Sequence, residues 1–149
     1  MKRRYELPMF LEGTMSQNAY TKWLYKKAAS HVRRDRSRIS GTVIPAEYRR
    51  AIHEAVCRCQ GADEYTGQPL SWELLSKYDN AKASKGRTAY KRRFYRLPTV
   101  DHAGDRVGQP RFMICSWQVN DAKHDQTYSE FIAMCRAVLA WKARPDSTG

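Results

Sequence analysis

Apolar residues recur at helical spacing near both ends of the chain. Residues 18–39 show a partial apolar stripe, and residues 45–59 carry apolar side chains on one side after an opening proline, a residue favoured at the first position of a helix. Near the other end, Thr127 and Glu130 fit a capping box, in which two residues satisfy each other's backbone at a helix start. We therefore predict two N-terminal helices and a last helix that ends before Pro145. The residues expected on the core side of that last helix are Phe131, Cys135, Val138, Leu139 and Trp141.

Two short apolar runs between these helices have the residue types of β-strands. They read LPTVDH at residues 97–102 and RFMICSW at residues 111–117, and the loop between them holds two glycines and a proline. With the short helix that follows the second run they predict a hairpin that has a helix packed across it. The expected fold class is α+β in one domain. A basic helical N-terminal part covers residues 1–58, a core covers residues 59–144, and a disordered tail covers residues 145–149.

The composition is that of a folded chain. It has 149 residues, of which 42% are hydrophobic and 11% aromatic, and this excludes an intrinsically disordered protein. No apolar run approaches the length of a membrane span, and the first residues lack the apolar stretch of a secretory signal. We therefore expect a cytoplasmic protein that does not bind membranes.

The charge of the chain favours a polyanionic partner. Lys and Arg number 27 against 15 Asp and Glu, a formal net charge of +12. Residues 81–96 hold seven basic residues and no acid, interleaved with aromatic residues that suit contact with nucleic acid. A solvated face is the alternative interpretation of this run. The basic residues predicted to bind nucleic acid are Arg33, Arg34, Arg36, Lys85, Arg87, Lys91, Arg92, Arg93 and Arg96.

The four cysteines do not form the spaced pairs of a zinc knuckle. Only one residue separates Cys57 from Cys59, which is shorter than the usual spacing of zinc-binding pairs, and no second pair follows. Cys115 and Cys135 have apolar neighbours, so we interpret both as small core residues. A structural zinc site is therefore the less favoured alternative.

Candidate chemistry lies at the ends of the two predicted strands. Asp101 and His102 end the first strand, and Asn120 follows the second. Asn120 and His124 are four residues apart, so they project from the same face if a helix begins at Asn120. Such a helix brings Asp101, Asn120 and His124 around one divalent cation, with His102 beside it. Oxygen ligands favour Mg or Mn, and the added imidazole also tolerates Zn or Ni. A neutral histidine beside a metal suits phosphodiester hydrolysis, because the histidine takes a proton from water while the metal stabilises the developing charge.

Each of these residues also has a purely structural interpretation. Asp101 and His102 are typical of a hydrogen-bonded strand end without metal, and Asn120 is a preferred residue at a helix N-cap. Lys123 is most simply a solvated lysine, although in a nuclease it would be placed to hold a phosphate. Trp117 and Trp141 are interpreted as core residues.

Together these motifs resemble a known family. VDH at residues 100–102, ICSWQVNDAK at residues 114–123 and the helix beginning TYSEF resemble the ββα-metal finger of HNH endonucleases. The resemblance is to the zinc-free bacterial and phage versions, which have a YTG turn upstream, and YTGQPLSW at residues 65–72 fits that turn. The similarity covers roughly residues 60–140 and leaves the N-terminal part without a counterpart.

The resemblance implies a metal-dependent endonuclease that hydrolyses DNA phosphodiester bonds, with double-stranded DNA as its partner. By this resemblance His102 is the general base, while Asp101 and Asn120 are metal ligands. His124 falls where the colicin-type nucleases, among others, place a further ligand. The family usually has an asparagine before the second strand that orients the base, and here Gln109 is the candidate that substitutes for it.

Two other functions fit the same motifs. Because the usual asparagine is absent, the chain could be a non-catalytic nucleic-acid-binding module on the same scaffold. An RNA-directed nuclease or toxin would share the chemistry and depend more on stacking aromatics such as Tyr90 and Tyr95. A nuclease requires His102 to be exposed beside the metal ligands, whereas a binding module tolerates a blocked histidine.

Overall fold

A computed structural model of the chain describes residues 4–38, 41–75, 77–104 and 108–145, apart from the side chain of Arg87. Its regular elements are the helices α1 Gln17–Arg38, α2 Pro45–Cys59 and α3 Asn80–Arg92, the strands β1 Pro98–His102 and β2 Phe112–Ser116, and the helices α4 Trp117–Lys123 and α5 Tyr128–Lys142. The predicted α+β class is confirmed. Within these ranges, no helix combines the length and the apolar character that a membrane span needs. Most of the predicted disordered tail, residues 146–149, lies outside the described residues.

The hydrophobic core joins the two N-terminal helices to one face of the hairpin. Helix α1 packs on α2, and α2 packs on β2. The predicted apolar side of α2 is confirmed, since Ile52, Ala55 and Val56 are fully buried and Cys59 nearly so. The hairpin adds Val100, Phe112 and Ile114 to the same cluster, and α1 adds Tyr20, Trp23, Leu24, Ala28 and Val32. The N-terminal helices and the hairpin therefore share one core.

The two strands pair antiparallel in the order of the sequence. Asp101 is opposite Met113, and His102 is opposite Phe112. Successive side chains of a strand point to opposite faces of the sheet. His102 and Phe112 consequently face α1 and α2, and Asp101 faces the opposite side, where α4 lies.

A turn covers the second edge of β2. The backbone N–H of Glu64 donates to the Ile114 carbonyl at 2.9 Å, and the Ile114 N–H donates to a Glu64 carboxylate oxygen at 2.7 Å. The buried carboxylate of Asp63 accepts from the backbone N–H groups of Ser116 and Tyr65, at 2.9 and 2.8 Å. These bonds hold the YTG turn against the hairpin and bring the Tyr65 ring to the face that carries Asp101.

Side chains cap both C-terminal helices. The Ser116 hydroxyl accepts from the Val119 N–H at the start of α4. The predicted capping box of α5 is confirmed, since Thr127 accepts from the Glu130 N–H at 3.2 Å and its own N–H donates to the Glu130 carboxylate at 2.8 Å.

The predicted core side of α5 is wrong in the second half of the helix, while Cys135 at its midpoint is half-buried. Phe131 is buried and packs on Tyr65 together with Tyr128. Further along, however, the exposed fractions of Val138, Leu139 and Trp141 are 55%, 70% and 58%. The apolar spacing correctly indicates a helix, but local spacing does not reveal which turns of that helix meet the rest of the protein. Trp117 is half-buried and packs on the Tyr78 ring at 5.2 Å.

Candidate active site between the hairpin and helix α4

Asp101 forms a buried ion pair under helix α4. One of its carboxylate oxygens accepts from the Tyr65 hydroxyl at 2.5 Å and lies 3.2 Å from the Lys123 ammonium. Asp101 and Lys123 are only 6% and 4% exposed. Burial, and then the hydrogen bond to Asp101, raise the pKa of Tyr65 above its usual range, so its hydroxyl stays a donor. The interpretation of Lys123 as a solvated lysine is wrong, because its ammonium compensates a buried carboxylate.

The contact of Lys123 with Asp101 shows which face of α4 is turned toward β1. Asn120 lies one turn earlier on that face, since helical residues three apart are neighbours. It is half-buried and lines a groove together with Pro98 and Thr99 of β1. Asn120 lies in the interior of α4, and Ser116 is the N-cap, so the interpretation of Asn120 as a helix cap is wrong.

His124 lies past the end of α4. The helix ends at Lys123, and His124 follows with a φ of 51°, in the left-handed region. Its side chain is 76% exposed, and its ring lies 3.3 Å from the exposed carboxylate of Asp125. The expectation that one helix face aligns Asn120 with His124 is wrong, because the chain leaves the helix between them.

His102 lies on the opposite face of the hairpin from Asp101. Its Nε2 is 2.6 Å from a carboxylate oxygen of Asp35 in α1, and its ring packs on Phe112 and His31. His102 is only 8% exposed. The expected cluster is therefore split by the strand, with Asp101 on one side and His102 on the other.

Asp35 is a partner of His102 that the sequence interpretation missed. It is fully buried and also accepts from the Tyr48 hydroxyl at 2.6 Å. An ionised carboxylate can only accept, so Nε2 of His102 is the donor in this contact. One pattern could have revealed Asp35: it is the only acid in a basic run, and it continues the buried stripe of Ala28, His31 and Val32.

Gln109 is exposed in the loop before β2. The carboxylate that contacts the His102 ring is that of Asp35, in helix α1. Residues 105–107 of that loop lie outside the described residues.

Most of the predicted nucleic-acid-binding residues are on the surface. Those exposed are Arg33, Arg34 and Arg36 of α1 and Lys85, Lys91, Arg92 and Arg93 of α3 and its end. Arg96 instead binds within the protein, where its guanidinium donates to the Gln68 side chain at 2.6 Å and to the Pro69 carbonyl. The side chain of Arg87 lies outside the described residues.

The residues present fit a small oxygen-bound cation better than a nitrogen-bound one. In the described ranges no three His, Cys, Asp or Glu side chains come together as a metal site. Asp101 and Asn120 offer two oxygens on one face, and Mg is commonly held by one or two carboxylates together with water and substrate phosphate. Lys123 already compensates the charge of Asp101, so a cation bound there would have to displace or share this contact. Neither candidate imidazole lies beside Asp101 to favour Zn or Ni: the His124 side chain is exposed to solvent, and His102 contacts Asp35 on the other face of the hairpin.

Comparison of the chain with models of known protein families, with curated proteins and with solved structures finds no match. A function must therefore be inferred from the residues and the geometry of this chain.

Proposed function

We propose that this protein is a metal-dependent endonuclease of the HNH kind that hydrolyses DNA phosphodiester bonds. The observation that carries the proposal is the placement of Asp101 under α4, in contact with Lys123, with Asn120 one turn earlier on the same face. A buried carboxylate in contact with an ammonium, and an amide one helical turn away, are groups that can bind a cation together with a phosphate.

The scaffold supports the same proposal. Strands β1 and β2 and helix α4 follow one another in the order of a ββα-metal finger, and α4 packs on both strands. The YTG turn lies against this unit through Asp63 and Glu64, and Tyr65 donates to Asp101. In this proposal the turn supports the carboxylate that holds the metal.

Asp101 and Asn120 would hold Mg or Mn at this position. When bound, the metal would stabilise the negative charge that develops on the scissile phosphate. Lys123 brings a permanent positive charge to the same spot and attracts the phosphate. Tyr65 fixes the orientation of the Asp101 carboxylate through its hydroxyl.

His102 is the proposed general base. Its hydrogen bond to Asp35 fixes the orientation of the ring. Because Nδ1 is buried and the ring lies on the face opposite Asp101, this role requires a rearrangement on DNA binding that brings Nδ1 to the metal-bound phosphate and its water. A histidine oriented by a carboxylate is a common arrangement for accepting a proton from water near neutral pH.

The burial of His102 favours a second candidate function. An imidazole that is 8% exposed, on the face opposite Asp101, matches a nucleic-acid-binding protein that keeps the scaffold without turnover. The two candidates share the basic surface and differ in whether bound DNA is cut.

Cleavage of supercoiled plasmid tests the proposal. We expect nicked or linear product with Mg or Mn and none with EDTA, for the parent and for His124→Ala, which alters an exposed residue outside the proposed site. Asn120→Ala should lose most of the activity, because it removes a metal ligand. Binding of the plasmid without cleavage under any metal would contradict the proposal and support the second candidate. Cleavage of RNA but not DNA would reassign the substrate.

A further inference from the structure

A groove of about 640 Å³ lies between α1, α4 and the start of β1. Lys22, Lys26 and Lys27 of α1 line one side, and Trp117 and Asn120 of α4 line the other. The groove therefore leads from a row of lysines to the residue proposed as a metal ligand. None of these three lysines was among the basic residues predicted from the sequence to bind nucleic acid.

The lysines of the groove lack negative partners. No Asp or Glu lines the groove, and across the described residues none of the three lysines forms an ion pair. Lys22 and Lys26 are exposed, and Lys27 is half-buried. Burial, together with the nearby charges of Arg34 and Lys26, lowers the pKa of Lys27. Positive charges crowded in this way repel one another, and an anion bound among them relieves the repulsion.

Aromatic rings complete the groove opposite the lysines. Trp117 is half-buried, and the Tyr78 ring, which also lines the groove, supports it at 5.2 Å. Lysines that follow a groove and aromatic rings that accept a stacked base are the combination used to bind single-stranded nucleic acid. A small acidic ligand without an aromatic ring would need the lysines but would make no use of the aromatic side of the groove.

We propose that this groove binds one unpaired strand of DNA, with phosphates at Lys22, Lys26 and Lys27 and a base against Trp117. The inference rests on the proposed function, since it leads the strand to Asn120. In this arrangement the unpaired strand follows the groove, and helix α1 holds it. Helix α1 lies outside the part of the chain that resembles HNH endonucleases.

The test measures binding rather than cleavage. A labelled 12-nucleotide single strand is titrated in EDTA at several salt concentrations with the parent, with Lys22→Gln/Lys26→Gln and with Arg50→Gln/Arg136→Gln. The two variants lose equal charge from exposed positions, on α1 in the first and on α2 and α5 in the second. Loss of two phosphate contacts should flatten the salt slope by about 1.4 and weaken binding by roughly 25-fold at 0.1 M salt. The control should bind within about threefold of the parent, because distant charges are screened.

A second measurement reports on the aromatic side of the groove. In a Trp141→Phe background, which removes the most exposed tryptophan, addition of the strand should quench tryptophan emission. The further change Trp117→Phe should reduce that quenching while the protein stays folded, and Trp23, which also lines the groove, accounts for any quenching that remains.

The outcomes separate this inference from the proposed function. The parent protein could cut DNA while Lys22→Gln/Lys26→Gln and Arg50→Gln/Arg136→Gln bind the single strand equally well. That result would contradict strand binding in the groove and leave the nuclease proposal intact. Unchanged quenching with Trp117→Phe would overturn the base contact. A parent that neither binds nor cuts DNA would overturn the proposed function, and the inference with it.

Discussion

At the scale of single residues, the contact between Asp35 and His102 links parts of the chain that are 67 residues apart. Both side chains are buried, and Tyr48 donates to the same carboxylate oxygen. A carboxylate at this position is stable only because its partners are in place. Asp35 therefore orients a proposed catalytic residue and also holds α1 to α2 and the hairpin.

We expect Asp35→Ala to lower the free energy of unfolding by about 3 kcal/mol, because hydrogen bonds to a buried charged group are lost. Arg36→Ala alters the next, exposed residue and should change stability by less than about 0.5 kcal/mol. Urea denaturation of both variants measures the difference. Equal stability of the two variants would contradict a structural role for Asp35.

His31 makes stability depend on pH. Burial, and then the charge of Arg34, lower the pKa of His31 to about 3, while its Nε2 bonds the Val100 carbonyl at 3.2 Å. In the unfolded chain the His31 imidazole binds a proton near pH 6.5, whereas in the folded protein it does so only near pH 3. The contribution of neutral His31 to the free energy of unfolding is therefore fully present above pH 6.5 and is lost as the pH falls toward 3.

Between these values the stability of the parent should fall by up to about 1.4 kcal/mol per pH unit because of His31. His31→Gln retains a donor for the Val100 carbonyl and should flatten this part of the profile. Urea melts from pH 4 to 7 measure both slopes, and identical slopes would show that His31 does not set the pH dependence.

The residue positions in the candidate site were only partly predictable from sequence. That Asp101 lies under the helix carrying Asn120 follows from the order of strand, strand and helix. The separation of Asp101 from His102 follows from the alternation of side chains along a strand, and this rule was available from the sequence. The partnership of His102 with Asp35 was not, because it depends on how α1 packs against the hairpin.

At the scale of elements, short sequence patterns correctly predicted where helices and strands begin, because these positions depend on neighbouring residues. The proline that opens α2, the capping box of α5 and the residue types of β1 and β2 all act within a few residues, and those elements form where expected. The surroundings of an element depend on distant residues instead. Helix α5 therefore has the predicted start, but its predicted core face is largely exposed.

We expect the two ends of α5 to differ in their contribution to stability. Phe131→Ala should lower the free energy of unfolding by about 3 kcal/mol, because it empties a buried site against Tyr65. Leu139→Ala, on the same helix at 70% exposure, should cost less than about 0.5 kcal/mol. Thermal or urea unfolding measures both. A comparable loss for Leu139→Ala would show that the far end of α5 is packed in solution.

At the scale of the whole molecule, the N-terminal helices belong to the same core as the hairpin. Most of the buried cluster comes from α1 and α2, and α1 also supplies Asp35 and the groove lysines. The part of the chain without a counterpart in the resemblance is thus expected to be essential to the fold.

We expect a chain that begins at residue 59 to lack cooperative unfolding, because Val100, Phe112 and Ile114 would lose the helices that cover them. Circular dichroism during a urea titration measures this, with the full chain as control. A sharp unfolding transition of the shortened chain would show that the hairpin and its helices fold independently.

The most direct test of the nuclease proposal compares the parent with His102→Ala on DNA, measuring binding and cleavage in the same samples with Mg or Mn at saturating protein. Binding, which the parent and the variant should share, also shows that the variant is folded. We predict that the parent cuts and that His102→Ala cuts at least about 100-fold more slowly, the usual contribution of a general base. A parent that binds without cutting, or a variant that cuts at the rate of the parent, would contradict the proposal.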